Sequence, residues 1–163
     1  MHKNSLRIIR YFVKKYVRGE SLSVLDVGSR MVNSRRLGNF RNVFAFNNHK
    51  YTGLDIIAGE NVDIVISDNK FPFKDGEIDV VVSGSAFEHV EFPWELIKEI
   101  SRVLKTKGLV CIIAPHSGGI HRMPFDTFRY FPDGMTALAK WASLTILKTA
   151  IFKDDTYLMA QKL

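Results

Sequence analysis

The sequence predicts a three-layer α/β protein in which helices cover both faces of a seven-stranded, mostly parallel sheet. Short apolar runs alternate with stretches of helical spacing and with turns, which is typical of repeated β and α units. The last two apolar runs flank only the turn at 153–155, so they predict a closing antiparallel hairpin. With 163 residues and 46% hydrophobic content, the chain fits a single domain, 1–163, with an ordinary core.

The chain opens with a predicted amphipathic helix, 1–19, whose outer surface is basic. The apolar side chains that recur at helical spacing are Leu6, Ile9, Val13, Tyr16 and Val17. This segment holds six basic and no acidic side chains, whereas the rest of the chain holds 17 of each, so it supplies the whole net charge of +6. The basic face is either simply solvated or recruits an anionic substrate, RNA or membrane headgroups.

Five apolar runs that end in polar loops predict the parallel strands, at 23–27, 51–55, 62–66, 78–82 and 109–114. A short helix is predicted at 39–47. After the fourth strand, Pro93 suits a first helical turn, and helical spacing continues through Leu104 until Lys105 and Gly108 close the helix. A further helix is predicted at about 133–143, before hairpin strands at 145–152 and 156–160.

Composition excludes several classes of protein. No apolar run reaches the roughly 20 residues that span a bilayer, and the first residues carry too much charge for a secretory signal, so we expect a cytoplasmic protein. The single cysteine, Cys111, excludes an internal disulfide framework, and its apolar neighbours predict a buried, unreactive thiol. Because histidines and acids lack regular ligand spacing on any one element, we predict no metal site.

The residues just past each strand carry the functional information, since open α/β sheets bind ligands beyond the carboxyl ends of their strands. Gly28, after the first strand, permits close approach of a ligand to the backbone. Asp26, within that strand, must find a partner because burying an unpaired carboxylate is costly. Asp55 ends the second strand, where it can accept hydrogen bonds from both hydroxyls of a ribose. A nucleoside site follows, although a D-x-G alone equally suits an ordinary turn.

Further polar motifs follow the third strand, the fourth strand and the next helix. They read S-D-N at 67–69, S-G-S-A-F-E-H at 83–89 and E-I-S-R at 99–102. In order and spacing the series resembles the class I, Rossmann-like methyltransferases that depend on S-adenosylmethionine, in particular their small-molecule type 11 branch. The resemblance covers about 23–115 and, more loosely, the closing hairpin.

The resemblance implies that residues after the first four strands hold the cofactor S-adenosylmethionine. The loop after the first strand would contact the methionine part of the cofactor, and the end of the second strand would contact its ribose. The residues after the third strand would contact its adenine, and those at the end of the fourth strand its sulfonium. In that order the residues are Asp26, Gly28 and Ser29; Asp55 and Ile56; Asp68 and Asn69; and Ser83. Arg30 stands where family members usually carry a second glycine. Its presence also argues against a dinucleotide dehydrogenase, whose G-x-G-x-x-G loop approaches a pyrophosphate.

Three histidines follow the fourth and fifth strands, namely His89, His116 and His121. Methyl transfer from a sulfonium mainly requires a nucleophile held in line with the methyl carbon. For a hydroxyl acceptor, a general base would add roughly 10²–10⁴ in rate, and histidine suits that role near neutral pH. We expect the catalytic base among these three. Alternatively, His89 orients a backbone or cofactor group and His121 anchors its loop.

The connection at 115–133 is dense in histidine, arginine and aromatic residues, and long connections of this kind are usually functional. Its spacing resembles that of methyltransferases of cell-surface polysaccharide and glycan pathways. The expected acceptor-binding residues are Arg122, Asp126, Arg129 and Tyr130. The alternative is a hydrophobic lid in which Arg129 and Asp126 form a salt bridge.

Three hypotheses for function follow. The leading one is an enzyme that methylates a small molecule or glycan, chiefly on oxygen. Because little chain remains to cover the cofactor, its acceptor site is expected to be open or completed by a second subunit in a homodimer. The rivals are an RNA or protein methyltransferase that uses the basic helix, and an inactive S-adenosylmethionine-binding module, suggested by Arg30 and the thin lid. Steep weakening of substrate binding by salt would favour the nucleic-acid rival.

Overall fold

The computed structural model describes residues 3–32, 39–68 and 70–163, so Asn69 lies outside the described residues. The strands are β1 (Ser23–Val27), β2 (Lys50–Asp55), β3 (Ile64–Val65), β4 (Ile78–Gly84), β5 (Leu104–Pro115), β6 (Leu144–Phe152) and β7 (Asp155–Lys162). In this described part of the chain they form one seven-stranded sheet, ordered β3-β2-β1-β4-β5-β7-β6.

The sheet is parallel from β3 to β5 and ends in an antiparallel pair. β1 pairs in parallel with β2 on one side and with β4 on the other. β7 runs antiparallel to both β5 and β6. These pairings confirm the predicted mostly parallel sheet with its C-terminal hairpin. The strand order reverses direction at β1, so the crevice between the carboxyl ends of β1 and β4 is where such sheets bind ligands.

Helices cover both faces of the sheet, as predicted. They are α1 (Lys3–Tyr16), α2 (Phe40–Val43), α3 (Pro93–Val103) and α4 (Pro132–Trp141). One buried cluster joins α1 and α2 to sheet residues such as Val80, and another joins α3 and α4 to residues such as Val81. Neighbouring strand residues thus pack on opposite faces, as the two-residue period of a strand requires. Of the helices in the described residues, none has the length and apolar character needed to cross a membrane.

The helix α1 packs through a wider apolar stripe than the sequence analysis anticipated. Leu6, Ile9 and Val13 are buried as expected, and Ile8 and Phe12 are buried with them. Its basic side chains outside this stripe are exposed, and they are Arg7, Arg10, Lys14, Lys15 and, just after the helix, Arg18. The helix therefore both completes one core and presents a basic surface.

The largest difference from the predicted elements lies between α3 and β5. The helix ends at Val103, and Leu104 already belongs to β5. Leu104 pairs with Ile78, whereas Leu109 pairs with Val80, so the intervening residues bulge out of the register. Leu104 is fully buried at the start of β5, and a last helical turn facing the core would also require an apolar residue. Its apolar character therefore could not distinguish a last helical turn from a first strand residue.

Candidate active site

A cavity of about 390 Å³ opens at the carboxyl ends of the parallel strands. Its walls come from four segments of the chain, at 26–32, 54–57, 84–90 and 121–123, with Ile66 and Phe71 at one side. This is the position that the strand order favours for a ligand. Four of the expected cofactor contacts lie directly in the first two of these segments, namely Asp26, Gly28, Ser29 and Asp55, and Ile56 adds a fifth.

The turn after β1 requires glycine at residue 28 for two reasons. Its φ is +76°, a left-handed conformation that side-chain-bearing residues rarely adopt. A Cβ atom at this position would also lie 2.3 Å from the Cβ of Ala86. The backbone N–H groups of Gly28 and Ser29 both donate to the carbonyl of Leu54, at 2.9 and 3.1 Å. The turn is therefore fastened to the end of β2 and pressed against the loop after β4.

Arg30 fits this loop without the glycine that related loops carry. Its backbone N–H donates to Asp55 Oδ2 at 2.9 Å, and it does not have a positive φ. Its aliphatic stem packs closely over Gly59, where an added Cβ would lie 2.9 Å from Arg30 Cγ. The backbone hydrogen bond of Arg30 and the packing of its stem thus fix this residue after the turn at Gly28.

Asp55 is held at the cavity wall by two backbone donors. Besides the N–H of Arg30 on Oδ2, Oδ1 accepts the N–H of Ile57 at 3.1 Å. The carboxylate is partly exposed and lines the cavity. A carboxylate has about four acceptor sites, so two stay available for hydroxyl groups of a ligand. The side chain of Ile56 is 55% exposed beside it and offers an apolar surface at the rim.

Asp26 finds the partner that its burial requires in Tyr51, whose hydroxyl donates to Oδ2. The Asp26 side chain is almost completely buried, and burial raises the pKa of its carboxyl to about 7. The guanidinium of Arg41 stacks over the Tyr51 ring at 4.6 Å from its centroid. The role of Tyr51 depends on the pairing of β1 with β2, so no pattern in the sequence indicated it.

Two of the expected cofactor contacts lie outside the cavity wall. Asp68 is exposed, and its Oδ1 accepts the N–H of Lys70 at 2.8 Å. It lies between the wall residues Ile66 and Phe71 in sequence but does not line the cavity itself. Ser83 is completely buried and donates to the carbonyl of Val27 at 2.8 Å. Its described contact links β4 to β1 beneath the cavity.

The fold brings two of the three histidines together with an acidic residue that sequence analysis did not single out. Glu88 Oε1 lies 3.7 Å from His89 Nε2 and 3.9 Å from His121 Nε2. The two imidazole rings meet edge to face with centroids 5.1 Å apart. All three residues line the cavity. We refer to Glu88, His89 and His121 as the Glu-His-His cluster.

Glu88 is the most unusual residue of this cluster. Its side chain is only 1% exposed, and neither carboxylate oxygen has a hydrogen-bond partner in the described part of the chain. Burial raises the pKa of this carboxyl to about 7. An acid directly before a histidine at the end of β4 was the available signal in the sequence, but its burial depends on the loop that covers it.

Each histidine of the cluster is oriented by a backbone carbonyl. His89 Nδ1 lies 2.6 Å from the carbonyl of Phe125, and His121 Nδ1 lies 3.2 Å from the carbonyl of Gly119. A carbonyl only accepts hydrogen bonds, so this network assigns the ring hydrogen to Nδ1 in both residues. The lone pair of each neutral ring is then on Nε2, the atom that faces Glu88.

The long loop after β5 reaches the cluster because its own residues fix its path. Asp126 accepts two hydrogen bonds from the guanidinium of Arg129, at 2.6 and 2.9 Å, and one from the N–H of His121 at 2.7 Å. These donors, chiefly Arg129, hold the pKa of Asp126 below its ordinary value. Thr127 donates through both its N–H and its hydroxyl to the carbonyl of Glu88. The salt bridge that sequence analysis gave as an alternative thus forms here.

Of the remaining predicted residues in the loop after β5, some line the cavity and others do not. Arg122 is exposed and lines the cavity, whereas Tyr130 is buried and donates to the carbonyl of Phe87 at 3.1 Å. His116 lies outside the cavity wall, with its N–H on the carbonyl of Asp154 and its ring against Phe131. The structure therefore places His89 and His121, but not His116, at the same site.

The chain matches a known protein family over more than half of its length. A family described as "Methyltransferase domain" matches residues 18–112. An uncharacterized methyltransferase from Mycolicibacterium gilvum (strain PYR-GCK) is 30% identical over 104 residues, which cover 56% of this chain and 38% of that protein. The chain thus matches well under half the length of this curated relative.

Solved structures share the fold at low sequence identity. A SAM-dependent methyltransferase from Aquifex aeolicus superposes with a TM-score of 0.71 at 18% identity, covering 94% of this chain and 88% of that one. The 1,6-didemethyltoxoflavin-N1-methyltransferase from Burkholderia thailandensis, solved with bound 1,6-didemethyltoxoflavin and S-adenosylhomocysteine, gives a TM-score of 0.75 at 16% identity. That match covers 97% of this chain and 78% of that one. At such identities the likeness shows the common fold.

Proposed function

The chain belongs to the methyltransferase domain family and is of the S-adenosylmethionine-dependent kind, and we propose that it methylates a hydroxyl group of a small molecule or glycan. One observation carries the proposal. Asp55 at the end of β2 and the Glu-His-His cluster after β4 line a single cavity. One side of that cavity therefore suits the sugar of a nucleoside, and the other suits an acceptor with an exchangeable proton.

The described residues near β1 and β2 fit S-adenosylmethionine. Asp55 keeps acceptor sites free for two ribose hydroxyls, and Gly28, without a Cβ, lets the turn after β1 pack against Ala86 in the cavity wall. Asp26 offers a buried carboxylate in the same wall, which suits the ammonium of a methionine group. When bound, the cofactor supplies a methyl carbon that is already activated by its sulfonium. The protein's remaining task is to position the acceptor.

The Glu-His-His cluster and Arg122 support a polar acceptor. The cluster directs a carboxylate oxygen and two imidazole nitrogens toward one point of the cavity, where a hydroxyl can be oriented and can lose its proton. Arg122 is exposed at the same cavity and suits a sugar hydroxyl or an anionic group. The spacing of residues 121–133, which resembles that of glycan-pathway methyltransferases, favours a sugar.

Calorimetry with S-adenosylmethionine tests the donor half of this proposal. Asp55→Ala should weaken cofactor binding by about 1–3 kcal/mol, because charge-assisted hydrogen bonds to the ribose are lost. Glu95→Ala removes an exposed acid on α3 that does not line the cavity, and it should leave the affinity unchanged. Equal affinities in the two variants would refute the placement of the ribose.

Formation of S-adenosylhomocysteine with a panel of acceptors tests the other half. The panel should contain sugars, small phenols and small amines at equal concentration. We expect turnover with a hydroxylated acceptor and a large loss in His121→Ala, with cofactor affinity nearly intact. Turnover restricted to amines would contradict O-methylation, and unchanged turnover in His121→Ala would remove this histidine from the mechanism.

The exposed basic side chains of α1 favour one second candidate, methylation of RNA. Arg10 and Lys14 line a groove of about 410 Å³ between α1 and α2. Contacts between such residues and phosphates would make binding fall steeply with salt. Fluorescence anisotropy with a labelled RNA at several salt concentrations tests this candidate. Absence of RNA binding at low salt would leave the basic face as a solvated surface.

A further inference from the structure

The Glu-His-His cluster has the composition and geometry of a metal site. One ligand atom from each of Glu88, His89 and His121 lies within 4.8 Å of the other two. A metal bound at about 2.1 Å would separate tetrahedral ligand atoms by about 3.4 Å. The separations from Glu88 Oε1 to the histidine Nε2 atoms, 3.7 and 3.9 Å, are only slightly larger. The remaining separation, between the two histidine nitrogens, is at most 4.8 Å, so rotations of the two rings that move these atoms by up to about 1 Å would bring all three to bonding positions.

The unpaired carboxylate of Glu88 is an independent sign of a missing partner. Buried polar atoms in native proteins are almost always hydrogen-bonded, and an unpaired buried carboxylate is especially costly. Both oxygens of this 1% exposed side chain are without a hydrogen-bond partner in the described residues, and Oε1 faces the two histidines. A cation between these groups would compensate the burial that the fold imposes.

The surroundings of the two histidines prepare them as ligands. Metal-binding histidines usually donate their other ring N–H to a carbonyl or carboxylate, which fixes the tautomer and the ring orientation. The carbonyls of Phe125 and Gly119 provide this contact for His89 and His121. Asp126, itself held by Arg129, also fixes the backbone N–H of His121. Both Nε2 lone pairs are thereby directed at the same point.

We propose that Glu88, His89 and His121 bind a divalent transition-metal ion of the Zn²⁺ or Co²⁺ type, with a coordination position open to the cavity. Two imidazole nitrogens and one carboxylate oxygen are the donor set that such ions accept, and three protein ligands with an open position are typical of catalytic sites. The ligands come from the turn after β4 and from the loop after β5. Regular spacing along one element could not reveal them.

The role of this ion rests on the proposed function. An acceptor hydroxyl bound at the open position would lose its proton to water more readily, because the cation stabilises the alkoxide. With S-adenosylmethionine bound, the acceptor oxygen would form a bond to the methyl carbon as the carbon–sulfur bond breaks with its electron pair left on sulfur. The charges would then balance on a methyl ether, S-adenosylhomocysteine and the proton released to water.

Titration of the chelator-treated, dialysed full chain with Co²⁺ tests the site through its visible absorption, and calorimetry with Zn²⁺ gives the stoichiometry. We expect one ion per chain. Binding should be lost in Glu88→Gln and His121→Ala, and it should persist in His116→Ala, a matched histidine outside the cavity. Asp126→Asn should weaken binding by about 10–100-fold, because it removes support for a ligand rather than the ligand itself.

Glu88→Gln also separates loss of metal binding from loss of folding. It replaces a buried, unpaired carboxylate by a neutral amide of the same shape, so the free energy of unfolding should not fall. Absence of stoichiometric binding in the wild type, or binding in Glu88→Gln and His121→Ala as tight as in the wild type, would overturn the metal site. Calorimetry of S-adenosylmethionine on the metal-free chain separates the two proposals. Cofactor binding without metal binding overturns only this inference, and metal binding without cofactor binding overturns only the proposed function.

Discussion

Replacing Gly28 by alanine should be among the most damaging small substitutions in the chain. A left-handed φ of +76° costs a residue with a Cβ about 1–2 kcal/mol. The new Cβ would also lie 2.3 Å from that of Ala86, whereas carbon atoms pack at about 3.5–4.0 Å. Relieving that overlap in a packed region costs about 1–3 kcal/mol more. We therefore expect Gly28→Ala to lower the free energy of unfolding by about 2–5 kcal/mol.

Alanine substitutions at three other glycines separate the cost of the left-handed backbone from the cost of the steric overlap. Gly118 has φ +106° and open space around it, so Gly118→Ala tests backbone strain alone. Gly53 lacks a positive φ, but its Cβ would lie 2.0 Å from the carbonyl oxygen of Asn61, so Gly53→Ala tests the overlap alone. Gly119 has neither feature and serves as the matched control.

Urea denaturation of the four variants measures the free energies directly. Gly119→Ala should be neutral or slightly stabilising, because alanine restricts the unfolded chain. Gly118→Ala and Gly53→Ala should each lose part of the stability that Gly28→Ala loses. If Gly28→Ala stays within about 0.5 kcal/mol of Gly119→Ala, the first turn is not fixed as described. Calorimetry on Gly28→Ala should also show weaker cofactor binding, since this turn forms the cavity wall.

Three further predictions concern buried and bridging groups. Burial raises the pKa of Asp26 to about 7, so the folded chain keeps a proton that the unfolded chain releases near pH 4. The stability that this group confers is therefore lost as pH rises from about 4 to about 7, and the loss levels off above that. Asp26→Asn removes this titrating group, so between pH 4 and 8 the variant should become more stable than the wild type by on the order of 1–4 kcal/mol. Parallel pH profiles of the free energy of unfolding in the two proteins would contradict this. Arg102 donates to the carbonyls of Phe71 and Phe73, so Arg102→Met should loosen this side of the cavity. The free energy of unfolding should fall by about 1–3 kcal/mol, and cofactor affinity should fall with it. If both values stay unchanged, Arg102 does not support the cavity wall. Burial raises the pKa of the Cys111 thiol, so a thiol reagent should modify it only after unfolding, and rapid labelling of the native chain would disprove its burial.

The parts of the fold that hydrophobic periodicity decides were predictable from the sequence. The buried strands β1 and β4 and the helix α1 carry continuous apolar runs or a clear helical face, and each forms where predicted. The short strand β3 is confined to Ile64–Val65 because it lies at the edge of the sheet, where Val65 is 54% exposed. An apolar run cannot show by itself how much of it pairs with a neighbour.

The candidate site was predictable wherever a residue follows its own strand. Asp55 and Gly28 reach the cavity because parallel strands end at the same edge. The position of Glu88 beneath the loop after β5 was not predictable, since it depends on contacts between residues far apart in sequence, such as Thr127 with the carbonyl of Glu88. Likewise, His116 and His121 follow the same strand, yet only the path of the loop brings one of them to the cavity.

The hydrogen bonds from Thr127 to Glu88 have an evolutionary consequence. They join the loop after β5 to the loop after β4 close to the cluster, whereas residues 117–120 of the same loop are exposed to solvent. Ile120, for example, is 77% exposed. Substitutions of Ser117 and Ile120 can therefore accumulate with little loss of stability, because almost no packing depends on their side chains. A lineage could in this way acquire new acceptors while its donor-binding half stays unaltered.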